Sequence, residues 1–167
     1  MADDHHIEPT RAETGALAHA ITRANGIAQG EVDRAPMVAG VLVDDDLVAW
    51  GDNEVHVDGD LSRHAEIVAL ANAAAEVGSE ALRGAALVTT LQPCEMCLGA
   101  IGMAGITRLI YAAGRPDVKE DGFFTYSGLS LDDFVEAADI PLKYAGNVMA
   151  GNVMHLYGPG GGDGTAA

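Results

Sequence analysis

Two apolar runs parted by three aspartates, then an alternation of Ala-rich and β-branched segments, leave few folds open to this chain of 167 residues. Residues 37–43 read as a buried strand and 47–50 as its partner, reversed at Asp44-Asp45-Asp46, which makes a hairpin. A polar loop from Gly51 to Arg63 leads to residues 65–77, which are Ala-rich and closed by Gly78, and so predict a helix. Residues 85–90 form a strand, 94–104 a helix that stops at Gly105, and 107–112 a second buried strand. Upstream, Thr10-Arg11-Ala12-Glu13 has capping-box form, with Leu17, Ala20, Ile21 and Ala24 at helical spacing and Asn25-Gly26 as the stop. Downstream, Ser130-x-x-Asp133 opens a short helix through Ala138. Residues 142–144 and 153–157 read equally well as edge strands or terminal helical turns. An antiparallel hairpin joined to strands linked by crossover helices is an α/β sandwich with a mixed sheet.

Composition sets the outer limits. At 49% apolar residues the chain can bury its own core, and its length suits one domain, residues 1–157, with a Gly-rich tail at 158–167. No run approaches the ~18–20 apolar residues of a membrane span. The acidic start, Met1-Ala-Asp-Asp-His-His, has neither the basic nor the apolar region of a secretory signal, so the expected location is cytoplasmic. The formal net charge is −16, and the only lysines are Lys119 and Lys143. Binding to nucleic acid or anionic lipid begins with cations displacing counterions, so neither is an expected partner.

The chemistry is concentrated in two short stretches. Cys94 and Cys97 are the only cysteines and stand three apart, which means either a redox dithiol or half of a metal site. At the mouth of a helix, i and i+3 share a face, and the positive end of the helix dipole favours thiolates. The second stretch, His64-Ala65-Glu66, opens the preceding helix and offers His64 as a third ligand. Two thiolates and an imidazole leave one position of tetrahedral zinc open, the arrangement of a catalytic rather than a structural site. Water there has its pKa lowered to about 7, and Glu66 is placed to take its proton and pass it to a departing nitrogen. Residues i and i+2 lie about 200° apart on a helix, so His64 and Glu66 share a site only if His64 stands at the helix edge. A redox dithiol needs no His-x-Glu beside it, and a structural zinc needs a fourth ligand, for which no residue is well placed. His5, His6, His19, His56 and His155 are scattered and read as solvated or structural.

His-x-Glu followed by Pro-Cys-x-x-Cys matches the signature of zinc nucleobase deaminases. From Gly51 to about Phe123 the sequence resembles the cytidine deaminase superfamily, most of all its free-base branch of bacterial guanine deaminases and fungal cytosine deaminase. The residues that carry this are Thr89-Thr90-Leu91-Gln92-Pro93-Cys94-Glu95-Met96-Cys97-Leu98-Gly99-Ala100-Ile101, and, closer to the guanine deaminases, Tyr111-Ala112-Ala113 with Asp117, Glu120 and Gly122-Phe123. The resemblance implies a three-layer α-β-α sandwich with a mixed five-stranded sheet, one zinc per chain, and a homodimer. It also implies substrate contacts from Asn53 and Asp117, each of which reads from local sequence alone as a turn residue. The implied substrate is a free nucleobase or related aminated heterocycle, guanine-type first, with cytosine or a nucleoside as alternatives. The tRNA adenosine deaminases also resemble this chain around the motifs, although a surface this acidic works against RNA. From Ser127 onward the chain matches no pattern of the family, and in free-base enzymes that end closes the pocket.

Overall fold

The computed structural model describes residues 5–30, 34–115, 126 and 128–157; Asp117, Glu120, Gly122-Phe123 and the tail 158–167 lie outside them. The order of elements is α1 (Arg11–Gln29), β1 (Val38–Val43), β2 (Asp46–Asp52), α2 (Val55–Asp58), α3 (Ala65–Val77), β3 (Ala86–Leu91), α4 (Glu95–Ala104), β4 (Arg108–Ala113), α5 (Leu131–Ala138), β5 (Lys143–Ala145) and α6 (Met154–Tyr157), with short 3₁₀ turns at Ser79–Leu82 and Ala150–Asn152. The strands form one five-stranded sheet in the order β2-β1-β3-β4-β5. β1 is antiparallel to both β2 and β3, while β3-β4 and β4-β5 are parallel. This is the mixed sheet that the hairpin and the crossover helices predict.

Alternation along the central strands builds the layers. Leu87 and Leu109 point to one face, where they pack with Ala65, Ala69 and Ala73 of α3, Leu98 and Ile101 of α4, and Leu131 and Val135 of α5. Val88 and Ile110 point to the other, against Ala16, Leu17 and Ile21 of α1 and Tyr157 of α6. With helices covering both faces, β3 is buried at every residue, which explains its nearly continuous apolar run. None of the described helices is long and apolar enough to cross a membrane.

Local signals set most element ends. The β1–β2 turn has Asp44 and Asp45 at positive φ (50° and 66°), the two-residue turn whose twist suits a hairpin, and Asp46 already pairs with Val43. The capping box at Thr10 forms in full: Thr10 Oγ1 accepts from the Glu13 amide at 3.1 Å, and Glu13 Oε2 accepts from the Thr10 amide at 2.7 Å.

Three expectations need correction or resolution. α1 does not stop at Asn25-Gly26 but continues to Gln29. The Asn25 side chain, which would have broken the helix, donates back to Ile21 O at 3.0 Å and to Asn152 O at 3.2 Å, and its Oδ1 pairs with His155 Nε2 at 2.8 Å. A turn former already engaged by a distant segment no longer competes with the helix. The segment 51–63 is not all loop, since β2 extends to Asp52 and α2 follows. The two ambiguous C-terminal segments divide: Lys143–Ala145 is a strand parallel to β4, and Met154–Tyr157 a helical turn. The outer edge of β5 is covered by the N-terminal segment, through Ile7 N to Tyr144 O at 3.0 Å and Tyr144 N to His5 O at 2.7 Å, a contact no local pattern encodes.

Candidate metal centre

The mouths of α3 and α4 meet beside the sheet, and each presents a candidate ligand as the helix cap. His64 is the N-cap of α3 in extended conformation (φ −66°, ψ 157°), and Cys94 is the N-cap of α4 (φ −71°, ψ 170°). His64 is thus off the helical register, and the 200° separation that would keep it from Glu66 does not apply. Cys97, three residues into α4, turns to the same side as Cys94 and is fully buried.

The three donor atoms make a near-equilateral triangle. Cys94 Sγ lies 3.5 Å from His64 Nδ1 and 3.6 Å from Cys97 Sγ, and Cys97 Sγ lies 3.6 Å from His64 Nδ1. Tetrahedral zinc, with bonds of about 2.3 Å to sulfur and 2.0–2.1 Å to nitrogen, requires edges of about 3.5–3.8 Å. The donor set therefore fits zinc in chemistry and in size, and His64, Cys94 and Cys97 are the group among the described residues that could hold a metal ion.

The charges agree with that reading. The pairing with Cys97 and the nearby His64 lower the Cys94 thiol to about 4, the direction of the thiolate that a metal takes. The same pairing with Cys94, together with burial, pushes the Cys97 thiol up. The bond to Cys94 raises His64. A bound cation would displace the protons that these side chains otherwise hold, because metal ligation needs the thiolates and the neutral imidazole.

Glu66 stands next to the triangle. It is 7% exposed, and burial holds its carboxyl above the ordinary carboxylate range. Cys97 Sγ donates to its Oε2 at 3.4 Å, and the Thr89 hydroxyl donates to its Oε1 at 2.8 Å. Thr89, on β3 and wholly buried, is the site residue that sequence reasoning missed; the signal was a Thr-Thr pair inside an otherwise apolar strand. A second omission is the Arg115–Glu95 ion pair at 2.7 Å, which ties the chain after β4 to the first turn of α4.

Asn53 sits just past β2, 6% exposed. Its Oδ1 accepts from the Val55 amide at 3.2 Å, and its Nδ2 has the Met37 sulfur at 4.0 Å. The turn-forming reading of Asn53 is therefore realised at its oxygen, while its nitrogen faces a weak acceptor.

A mixed sheet that brings a His cap and a Cys-x-x-Cys turn together at zinc spacing, with a buried carboxylate alongside, defines a zinc-binding α/β domain. Residues 12–113 match the family model described as the cytidine and deoxycytidylate deaminase zinc-binding region, and the chain belongs to that family. Similar proteins divide by substrate. A guanine deaminase from Bacillus subtilis is 36% identical over 109 residues, covering 64% of this chain and 69% of that protein. A tRNA-specific adenosine deaminase from Agrobacterium fabrum is 40% identical over 87 residues, 52% of this chain and 57% of its own. A tRNA(Ile)-lysidine synthase from Deinococcus deserti is 46% identical over 70 residues, 42% of this chain but 13% of that one. The chain thus spans less than two thirds of the length of the last two. Among solved structures, one from a study of A-to-I editing by tRNA:A34 deaminases superimposes with a TM-score of 0.72 at 28% identity, over 86% of this chain and 99% of the other. A mutant protein in complex with 8-azaguanine superimposes with a TM-score of 0.70 at 27% identity, over 92% and 87%.

Proposed function

We propose that this chain is a zinc-dependent aminohydrolase that exchanges the exocyclic amine of a free nucleobase, guanine-type first, for a carbonyl oxygen. Water and the amino-substituted ring carbon enter; the carbonyl and ammonia leave. The observation that carries this reading is Glu66, a buried carboxylate beside the His64–Cys94–Cys97 triangle with one oxygen engaged by Thr89 and the other turned to the ligand cluster. Zinc bound by the triangle would lower the pKa of water to about 7 and so supply the nucleophile at neutral pH. Glu66 would accept one water proton on Oε2 and return it to the amine nitrogen, which leaves as ammonia, while the other water proton ends on the adjacent ring nitrogen as the carbonyl forms. Burial raises the Glu66 carboxyl, the direction that makes a carboxyl group better able to hold a proton and give it back. Asn53 would offer its amide N–H to the ring, since its oxygen is engaged at Val55, and Asp117 would hold the purine from the segment after β4.

A free base is favoured over RNA by the distribution of charge. Besides the net charge of −16, six arginines are each paired with a carboxylate: Arg23 and Arg34 with Asp52, Arg63 with Glu54, Arg83 with Glu80, Arg108 with Glu13 and Arg115 with Glu95. Cations spent internally attract phosphate weakly. The second reading, deamination of adenosine in tRNA, rests on the A. fabrum relative and the tRNA:A34 deaminase structure.

Ammonia release from the zinc-loaded protein, offered guanine, cytosine, adenine, their nucleosides and a tRNA anticodon stem-loop, separates the readings. Turnover of guanine or another free aminopurine supports the first, and turnover of the stem-loop alone the second. A zinc-loaded protein inert toward all of them is a binding module. Light scattering on the same sample tests the homodimer, expected at twice the 17.2 kDa of the chain.

A further inference from the structure

Strand β3 carries two adjacent threonines where its neighbours Leu87, Val88 and Leu91 are apolar, and both are wholly buried. A buried hydroxyl without a partner costs free energy, so each must answer to something specific. Successive strand residues face opposite sides of the sheet, and the two hydroxyls serve different neighbours. Thr90, facing α6, accepts from the Val38 amide at 3.1 Å and lies 2.7 Å from Tyr157 Oη, which itself lies 2.7 Å from Pro36 O. That set ties the chain end to the start of β1 and is structural. Thr89, facing α3, donates its hydroxyl to Glu66 Oε1 at 2.8 Å.

We propose that Thr89 is a positioning residue for the deamination reaction. It locks the Glu66 carboxylate so that Oε1 is engaged and Oε2 alone faces the ligand cluster. This rests on the hydrolase reading given above. Glu66 stands on a helix and Thr89 on the central strand of the sheet, paired on one side with Ala39 and on the other with Tyr111, so the hydroxyl is held by strand pairing on both sides. A threonine hydroxyl has one proton, and the carboxylate can use it only as an acceptor. The plane of the carboxylate is then fixed by a donor that does not itself exchange protons with the substrate. A proton shuttle works only when the same oxygen stays within hydrogen-bond reach of both water and leaving nitrogen. A free carboxylate torsion is broad and roughly two-fold, and would present the wrong oxygen, or the wrong angle, for part of the time.

The test is Thr89→Val, which keeps the β-branched shape and removes the donor, with Thr89→Ser restoring the hydroxyl on a smaller side chain. For Thr89→Val we expect kcat to fall by roughly 10²-fold, the scale of an ångström-sized misplacement of a reacting group, with KM changed less than about three-fold and zinc content at wild-type level. Thr89→Ser should recover at least a tenth of wild-type kcat. In a Glu66→Gln background, Thr89→Val should cause no further loss, because Thr89 acts only through that carboxylate. Thr89→Val with unaltered kcat, Thr89→Ser as damaged as Thr89→Val, or an additive loss in the Glu66→Gln background would each overturn the proposal. Crystal structures of the zinc-loaded wild type and Thr89→Val give a readout without turnover. A single Glu66 orientation in the first and a rotated or divided one in the second is expected. An identical Glu66 in both overturns the positioning role. Should the wild type deaminate nothing in the substrate panel, the hydrolase reading falls, and these two crystal structures still decide whether Thr89 orients Glu66.

Discussion

Gly51, next to last in β2, lies directly against the backbone of α3, and alanine there should loosen the helix that carries Glu66 and is capped by His64. A Cβ built on Gly51 would stand 2.8 Å from Ala69 Cα and closer still to the Ala65 carbonyl oxygen and the Ala69 nitrogen, where ordinary contact begins at 3.4 Å. The shortfall exceeds half an ångström, and every atom involved is backbone, so no side chain can swing away. The Ala65 oxygen and Ala69 nitrogen are also the two ends of a helical i to i+4 hydrogen bond, into which the methyl would wedge. Overpacking of this kind costs about 1–3 kcal/mol and weakening the hydrogen bond about 1 more. A loss of about 2–4 kcal/mol is a large share of the ~5–15 kcal/mol that holds a domain together. For a domain of this size Tm should drop by about 5–15 °C. Because Ala65 follows His64 directly, the displacement opens the ligand triangle as well, and zinc should be lost at chelator concentrations that wild type withstands. The assays are thermal unfolding, and zinc retained against increasing EDTA. Gly15→Ala is the control: it lies at an exposed position of α1 where its Cβ meets nothing within 4 Å, and it should stabilise by about 0.5–1 kcal/mol. A Gly51→Ala protein with wild-type Tm and wild-type resistance to EDTA would refute the argument that α3 is seated by backbone contact.

Glu66→Gln should keep zinc at about one per chain and lose at least ~10²–10⁴-fold in ammonia release, because the amide cannot accept a proton; zinc lost together with activity would make Glu66 a part of the ligand shell instead. Cys97→Ser should lose most of its zinc by elemental analysis, since the thiolate is one corner of the triangle, and full retention would sink the assigned ligand set. Acid should act through Glu13: burial alone would raise its carboxyl, but Arg108 and the Thr10 amide outweigh that and hold it below its ordinary 4.5. The folded state therefore favours the ionised form, a contribution fully present above about pH 4.5 and lost as pH falls through the lower folded value. Wild type should exceed Glu13→Gln in Tm at pH 7, and the gap should narrow progressively as the pH falls below the ordinary 4.5; a gap that does not depend on pH would contradict this. A tRNA gel shift at sub-micromolar protein and physiological salt should show no binding, and a salt-sensitive shift would favour the RNA reading.

What the sequence determined by itself is what is encoded within a few residues. The caps at Thr10 and Ser130, the stops at Gly78 and Gly105, and the Asp44-Asp45 turn fell where local chemistry places them, because each depends on atoms three or four residues apart. The candidate ligand set was legible for the same reason: His-x-Glu and Cys-x-x-Cys are short spacings read against helix geometry. Tertiary structure decided whatever depends on distant partners. Residues 143–145 became a strand because β4 was there to pair with them, and α1 outran Asn25-Gly26 because Asn152 and His155 engaged its turn-forming side chain. Thr89 became part of the site only because the fold sets β3 under the first turn of α3, 23 residues away in the chain. A buried threonine in a strand has no local signature of what it will hold; that is fixed by which helix packs over it.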